Sequence, residues 1–228
     1  MEHIEQVITA DTFMEHIWGW DSSVEVNVVW ANTEILSLSY GENEWCDGIA
    51  RQTNNMRELI GQMIQMAILD ERDIVTETED FNLSDAVYDT CMSFQSPALR
   101  RKLKLTIDVG PSIRYLGNEG SIRQVIAILM DNAIKYCDEE GQISVNLRSS
   151  RKRRSAKLTV SNTCSEIDTL DTKHMFDRFY RHNKARESSN SFGLGLSIAK
   201  SIMEQHKGNL ICCKGTEKQI LFIATFKK

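Results

Sequence analysis

Proline is nearly absent from this 228-residue chain, which carries only two, so long helices can run without interruption. With 41% hydrophobic residues the chain is globular rather than disordered and can bury one or two modest cores. No apolar run approaches the ~20 residues that span a bilayer, and no charged, apolar, small-residue signal opens the sequence. The expectation is a soluble, cytoplasmic protein with no membrane segment in this chain. The six cysteines have no CxxC spacing, and Cys212 and Cys213 are neighbours in a strand-like run. That pattern excludes a zinc site or a disulfide framework and predicts reduced thiols. The five histidines make no metal-ligand pattern either; His3, His174, His182 and His206 read as surface residues.

Basic residues are scarce in one part of the chain only. Residues 1–80 hold 17 acidic and 3 basic residues, hence −14, and the remainder holds 15 acidic and 24 basic, hence +9. Two modules are implied, and so acidic a half argues against nucleic acid as a partner.

What the chain does have is a polar cluster at the end of an apolar helical run. In RQVIAILMDNAIKYC (Arg123 to Cys137), Ile126, Leu129, Met130 and Ala133 recur at three- and four-residue spacing and can face a sheet. Asn132 and Lys135 then turn toward another surface. An Asn amide oxygen suits Mg2+, and a Lys one turn later can neutralise phosphate oxygens. A second stretch, FDRFYRHNKARESSNSFGLGLSIAK (Phe176 to Lys200), places Gly193-Leu194-Gly195-Leu196 at the start of a helix, where backbone N–H groups can receive anionic oxygens. The Arg-, Ser- and Asn-rich segment before it has no apolar period and reads as a mobile lid.

These residues resemble the ATP-binding domain of sensor histidine kinases, in the family shared with gyrase, Hsp90 and MutL. NAIKY at 132–136 is similar to the N box, FDRFYR at 176–181 to the F box and GLGLSIAK at 193–200 to the G2 box. The resemblance implies ATP and Mg2+ as cofactors. Asn132 would hold Mg2+, while Lys135, Arg181, Lys184 and Arg186 would meet phosphates. Tyr136 and Asn162 would face adenine, and Gly193, Leu194, Gly195 and Leu196 would shape the lid hinge. Val160 to Ile167 falls where the family has its Asp-x-Gly-x-Gly box, with Asn162 in place of Asp and Cys164 and Glu166 in place of the glycines. A neutral acceptor gives adenine a weaker bond than a carboxylate. Ile128, one turn before Asn132, stands where many relatives carry a second Asn.

Before the ATP-binding segment, apolar positions from Ile4 to Tyr40 fall three, four or seven apart, Gly41-Glu42-Asn43 breaks the pattern, and Trp45, Ile49, Met56, Leu59, Met63 and Met66 resume it until about Arg72. A helical hairpin with that much apolar surface predicts pairing with a second copy into a four-helix bundle, hence a homodimer. ANTEIL at 31–36 and GENEW at 41–45 resemble the dimerisation and phosphotransfer hairpin of the same kinases. Counted back without gaps, Trp20 falls on the phosphoacceptor position. An indole N–H has no basic lone pair with which to attack a phosphoryl group, so Trp20 argues against self-phosphorylation. Asp21 keeps the acidic neighbour, Val24 replaces the Thr or Asn that positions water, and His16, one turn before Trp20, is the alternative acceptor.

The organisation expected is a dimerisation hairpin over 1–72, a linker over 73–80 and an ATP-binding domain over 81–228. The fold class is α+β: a helical hairpin followed by a sandwich in which helices cover one face of a mixed sheet. Within it, Phe81 to about Gln95 reads as a helix capped by Asn82 or Ser84, and Leu103 to Val109 as a strand. Ile143–Leu147 and Leu158–Val160 read as strands paired through a basic tip, RSSRKRRSAK. The resemblance implies the cytoplasmic core of a two-component sensor kinase, the soluble part of a membrane-anchored sensor, with a response regulator as partner. The competing reading is a nucleotide-binding pseudokinase acting as a dimeric regulatory module, and a serine kinase of the anti-sigma type is disfavoured by the long hairpin.

Overall fold

The computed structural model describes residues 44–71, 78–150, 154–181 and 192–227. The chain divides between Arg72 and Asp73 into two units. In the first, helix α1 (Glu44–Glu71) takes the second arm of the expected hairpin. Its Ile49, Met56 and Met63, seven residues apart, are 49%, 50% and 37% exposed, while Met66 is buried. The first arm, with His16, Trp20, Asp21 and Val24, lies outside the described residues, as do Lys184, Arg186 and residues 151–153 of the basic tip.

The second unit begins with strand β1 (Glu79–Asn82), helices α2 (Leu83–Met92) and α3 (Gln95–Arg100), strands β2 (Lys104–Val109) and β3 (Arg114–Gly117), and helix α4 (Glu119–Tyr136). Strands β4 (Gln142–Ser150) and β5 (Ser155–Thr163), helix α5 (Gly195–Gln205), and strands β6 (Asn209–Lys214) and β7 (Gln219–Lys227) complete it. Five strands form a mixed sheet in the order β2-β4-β5-β7-β6, in which only β2 and β4 run parallel, and β1 and β3 form a separate antiparallel pair. Alternation decides the faces: Ile143, Val145 and Leu147 of β4, Leu158 and Val160 of β5, and Phe222 and Phe226 of β7 are all fully buried.

Helix α4 is the centre of the layer over that face, packing on α2, α5 and β5. Ile122, Ile126, Leu129, Met130 and Ala133 are fully buried, as the spacing predicts. Each large side chain among them contributes roughly 1.5–3 kcal/mol.

Two readings of the sequence need correction. The segment from Phe81 does not open a helix: Glu79 to Asn82 pair with Gly117 to Arg114, so strand β1 also takes in the last two residues expected to be linker. Asn82 then caps α2, its side chain accepting from the Ser84 N–H at 3.1 Å. Ser84 is buried instead, its hydroxyl donating to the Gly110 carbonyl and accepting from the Ile113 N–H. A pairing partner 35 residues away overrode the local helical pattern.

His206 is not a surface residue but is 8% exposed at the end of α5. Its Nδ1–H donates to the Ile202 carbonyl at 2.8 Å and its Nε2 accepts the Asn118 N–H at 3.1 Å. Asn118 caps α4, its side chain accepting from the Ser121 N–H. The imidazole therefore ties the end of α5 to the start of α4. Tyr115 packs alongside, edge-on to Phe81 and Phe226, and donates to the His206 carbonyl.

Both ring nitrogens are used by the neutral imidazole, and burial lowers the His206 pKa, partly opposed by the bond to Ile202. Below about pH 6.5 the unfolded state then binds more protons than the folded one, so this contribution is present above that pH and is lost as pH falls through it. The exposed His174 acts in the opposite sense, because Asp177 and then Asp171 raise its pKa. Comparing wild type with His206→Gln isolates the buried ring. Urea denaturation should show the variant less stable at about pH 7.5 and losing less stability on going to about pH 5.5. Equal pH slopes would contradict a buried neutral His206.

Candidate functional site

The last two turns of α4 keep Met130, Ala133 and Ile134 buried and turn Asp131, Lys135 and Tyr136 outward. Lys135 Nζ lies 2.7 Å from Asp131 Oδ2, an i,i+4 pair with both side chains well exposed, so the ammonium is held one turn from Asn132. Asn132 is half-buried and Tyr136 is 39% exposed. At Cys137 the backbone turns extended and the helix stops.

The chain leaving α4 is fastened to the end of β5. The Asp138 N–H donates to the Thr163 carbonyl at 3.2 Å, and Cys137 Sγ lies 3.3 Å from Thr163 Oγ1. Asp138 Oδ1 accepts both the N–H and the hydroxyl of Ser165, each at 3.0 Å. The approach is too close for a side chain at Gly141, where a Cβ would sit 2.2 Å from Thr163 Oγ1. The sequence reading missed Asp138 and Thr163; their signal was only a polar residue directly after the helix and a β-branched residue after Asn162.

Asn162 lies in β5 on the same face as Leu158 and Val160 and is 1% exposed. Its Nδ2 donates to the Thr163 carbonyl at 3.0 Å, while among the described residues no group donates to its Oδ1. The locked amide thus points a buried acceptor at no partner among the described residues. Such an atom costs roughly 1–3 kcal/mol if left unmade, so a ligand donor is the natural counterpart.

The other side is formed by residues 174–181 and the start of α5. Phe176 packs edge-on against Phe222 of β7, with Lys200 Nζ 5.6 Å from its ring centroid. The Phe179 N–H donates to the Gly193 carbonyl at 2.9 Å, which brings the two ends of the expected lid together. Arg181, half-buried, stands at the leading edge of that segment; Lys184 and Arg186 are outside the described residues.

The two glycines expected at the hinge differ. Gly193 has φ +73°, and a Cβ there would lie 2.7 Å from the Tyr180 carbonyl oxygen. At Gly195 a Cβ would make ordinary contact, 3.5 Å from Ile128 Cγ2. Gly195 is therefore not a hinge requirement, but its contact places the start of α5 one turn before Asn132 on α4. Helix α5 begins after the buried Leu194 with no side-chain cap, leaving first-turn N–H groups for an external acceptor. Leu196 lies half-buried in that first turn, and Ser197 donates back to the Leu194 carbonyl.

The site therefore combines a carboxamide and an ammonium on α4, a buried acceptor on β5 and an uncapped helix N-terminus on α5. Residues 117–228 match the family described as histidine kinase-, DNA gyrase B-, and HSP90-like ATPase. Sensor protein DltS of Streptococcus agalactiae serotype III (strain NEM316) is 32% identical over 180 residues, covering 79% of this chain and 45% of that protein. The chain thus spans less than half the length of this curated relative. Among solved structures, full-length ShkA in complex with AMPPNP has a TM-score of 0.73 at 15% identity, over 89% of this chain and 43% of that one. The histidine kinase AdeS of Acinetobacter baumannii has a TM-score of 0.66 at 16% identity, over 91% and 97%. Both structural likenesses concern the fold.

The contrast between the glycines is testable. Gly193→Ala should cost about 1–2 kcal/mol for the left-handed backbone, with a further penalty from the clash, whereas Gly195→Ala should fall within about 0.5 kcal/mol of wild type. Thermal or urea unfolding measures both, and equal effects would contradict the hinge assignment.

Proposed function

From the match of residues 117–228 to the family of histidine kinase-, DNA gyrase B-, and HSP90-like ATPases, we propose that this chain is the ATP-binding core of a two-component sensor histidine kinase. The observation that carries the reading is the buried Asn162 Oδ1, without a donor among the described residues, at the position where the family recognises adenine. An exocyclic amino group supplies the missing donor. Tyr136 lies along the base, Asn132 supplies the amide oxygen for Mg2+, and Lys135 exchanges Asp131 for phosphate oxygens. Arg181, with Lys184 and Arg186 of the lid, meets the remaining phosphate charge, and the N–H groups after Leu194 complete the anion site.

When bound, Mg-ATP supplies the transferable phosphoryl group; the residues of this chain supply position and charge neutralisation. Trp20 cannot accept that group, so the acceptor is a histidine elsewhere: His16, one turn earlier with Asp21 as the neighbouring acid, or a histidine on another chain. The regulatory-module alternative is not carried forward, since the relative matched over most of the chain is a sensor protein. The hairpin pairs with a second copy through the exposed stripe of Ile49, Met56 and Met63, and a response regulator receives the signal. By analogy with such relatives, this is the cytoplasmic part of a membrane-anchored sensor; among the described residues no helix is long and apolar enough to cross a membrane.

Calorimetric titration with Mg-ATP and ADP tests the site. Saturable binding lost in Asn132→Ala is expected, and no binding at millimolar ATP would sink the proposal. A second variant separates ligand recognition from folding. Asn162→Leu removes a buried acceptor that the free protein leaves unpaired, so stability should hold or rise while ATP affinity falls about tenfold, within the ~1–3 kcal/mol of an unmade buried bond. A variant that unfolds more easily yet binds ATP normally would assign Asn162 to the fold alone.

A further inference from the structure

Helix α4 ends without a glycine or a Schellman turn. The Cys137 N–H still reaches the Ala133 carbonyl, but the next amide, Asp138, is diverted to Thr163. In a continued helix that amide would have bonded Ile134, so the carbonyls of the last turn need donors from elsewhere. Arg101 provides them: Nη1 donates to the Ile134 carbonyl and, at 3.1 Å, to the Lys135 carbonyl. A guanidinium at this end also opposes the negative pole of the helix.

Arg101 is itself held from behind. Its N–H bonds the carbonyls of Pro97 and Ala98 at the end of α3, and the Leu103 N–H returns to the Ala98 carbonyl at 2.9 Å. Ala98 and Leu103 are both buried, so the backbone that carries this exposed arginine is held against the core. The two carbonyls it grips belong to the turn that carries Lys135 and Tyr136. Asn132, by contrast, is fixed by its buried neighbours Leu129, Met130 and Ala133.

We propose that Arg101 is a positioning residue for the nucleotide site: from the α3–β2 turn, its guanidinium holds the last turn of α4 so that Lys135 and Tyr136 are presented to ligand. The proposal rests on the nucleotide reading above. It distinguishes two parts of α4, an Asn132 turn set among buried neighbours and a Lys135–Tyr136 turn whose carbonyls accept from an exposed side chain.

Two measurements on the full chain test it. Amide hydrogen exchange of the free protein should show Arg101→Ala losing about threefold or more protection at Lys135 to Cys137, with Val125 to Met130 unchanged, the size expected for a charged group at a helix terminus. Arg101→Lys, which keeps the charge and one donor direction, should restore part of it. Unchanged protection of the last turn would overturn the proposal whether or not nucleotide binds. In calorimetry, Arg101→Ala should weaken Mg-ATP about threefold and have no further effect in a Lys135→Ala/Tyr136→Ala background. The same loss in that background would show that Arg101 acts by another route and would overturn it. If Lys135→Ala/Tyr136→Ala binds Mg-ATP like wild type, the phosphate and adenine roles of those residues fail instead, and the exchange experiment still decides what Arg101 does.

Discussion

Helix α4 anchors the sheet with its apolar face and, in the proposed site, meets a charged ligand with polar residues near its end. Ile122, Val125, Ile126, Leu129 and Met130 lie in the core, where side chains of this size supply much of the unit's burial energy. Asn132, Lys135 and Tyr136 occupy the following turn and a half, opposite the buried Ala133 and Ile134. A few side chains fix each end of this helix. His206 and Asn118 secure its start, while Arg101, Asp138 and Thr163 secure its exit.

The exit shows how a departure from the family pattern can be accommodated. Glycines are absent at Cys164 and Glu166, so the loop cannot obtain its turn from backbone freedom at those positions. Instead Asp138 accepts two bonds from Ser165, and the Thr163 carbonyl receives both the Asp138 N–H and the Asn162 amide. The second of these bonds orients Asn162. Turning the amide over would set its oxygen against the Thr163 carbonyl, so the acceptor stays directed away from β5's own backbone. Replacing a carboxylate by a carboxamide therefore keeps the acceptor while removing a buried charge.

Much of this was legible from sequence because it is periodic. The buried face of α4 follows from the spacing of Ile126, Leu129, Met130 and Ala133, and the strands around Ile143–Leu147 and Leu158–Val160 follow from alternation. The polar cluster at Asn132 and Lys135 stood out because it interrupted the apolar pattern. Contacts between distant segments left no such trace. Nothing in EDFN announces pairing with RYLG 35 residues later, and a histidine in MEQHKG looks solvated until Asn118 is found against it. Likewise, the repeated glycines of GLGL suggested equal roles, whereas only Gly193 takes a left-handed backbone. The cap supplied by Arg101 is invisible for the same reason, since a run of basic residues ordinarily reads as a solvated turn.

The central claim is that the unpaired oxygen of Asn162 exists for the base of a nucleotide. A crystal structure of the chain with Mg2+ and a non-hydrolysable ATP analogue tests it most directly, through the distance from Asn162 Oδ1 to the exocyclic amino group of adenine. The account predicts a hydrogen bond of about 2.9–3.0 Å, with the amide still donating to Thr163. An adenine bound elsewhere, or an Asn162 oxygen satisfied by a protein donor in that complex, would contradict it.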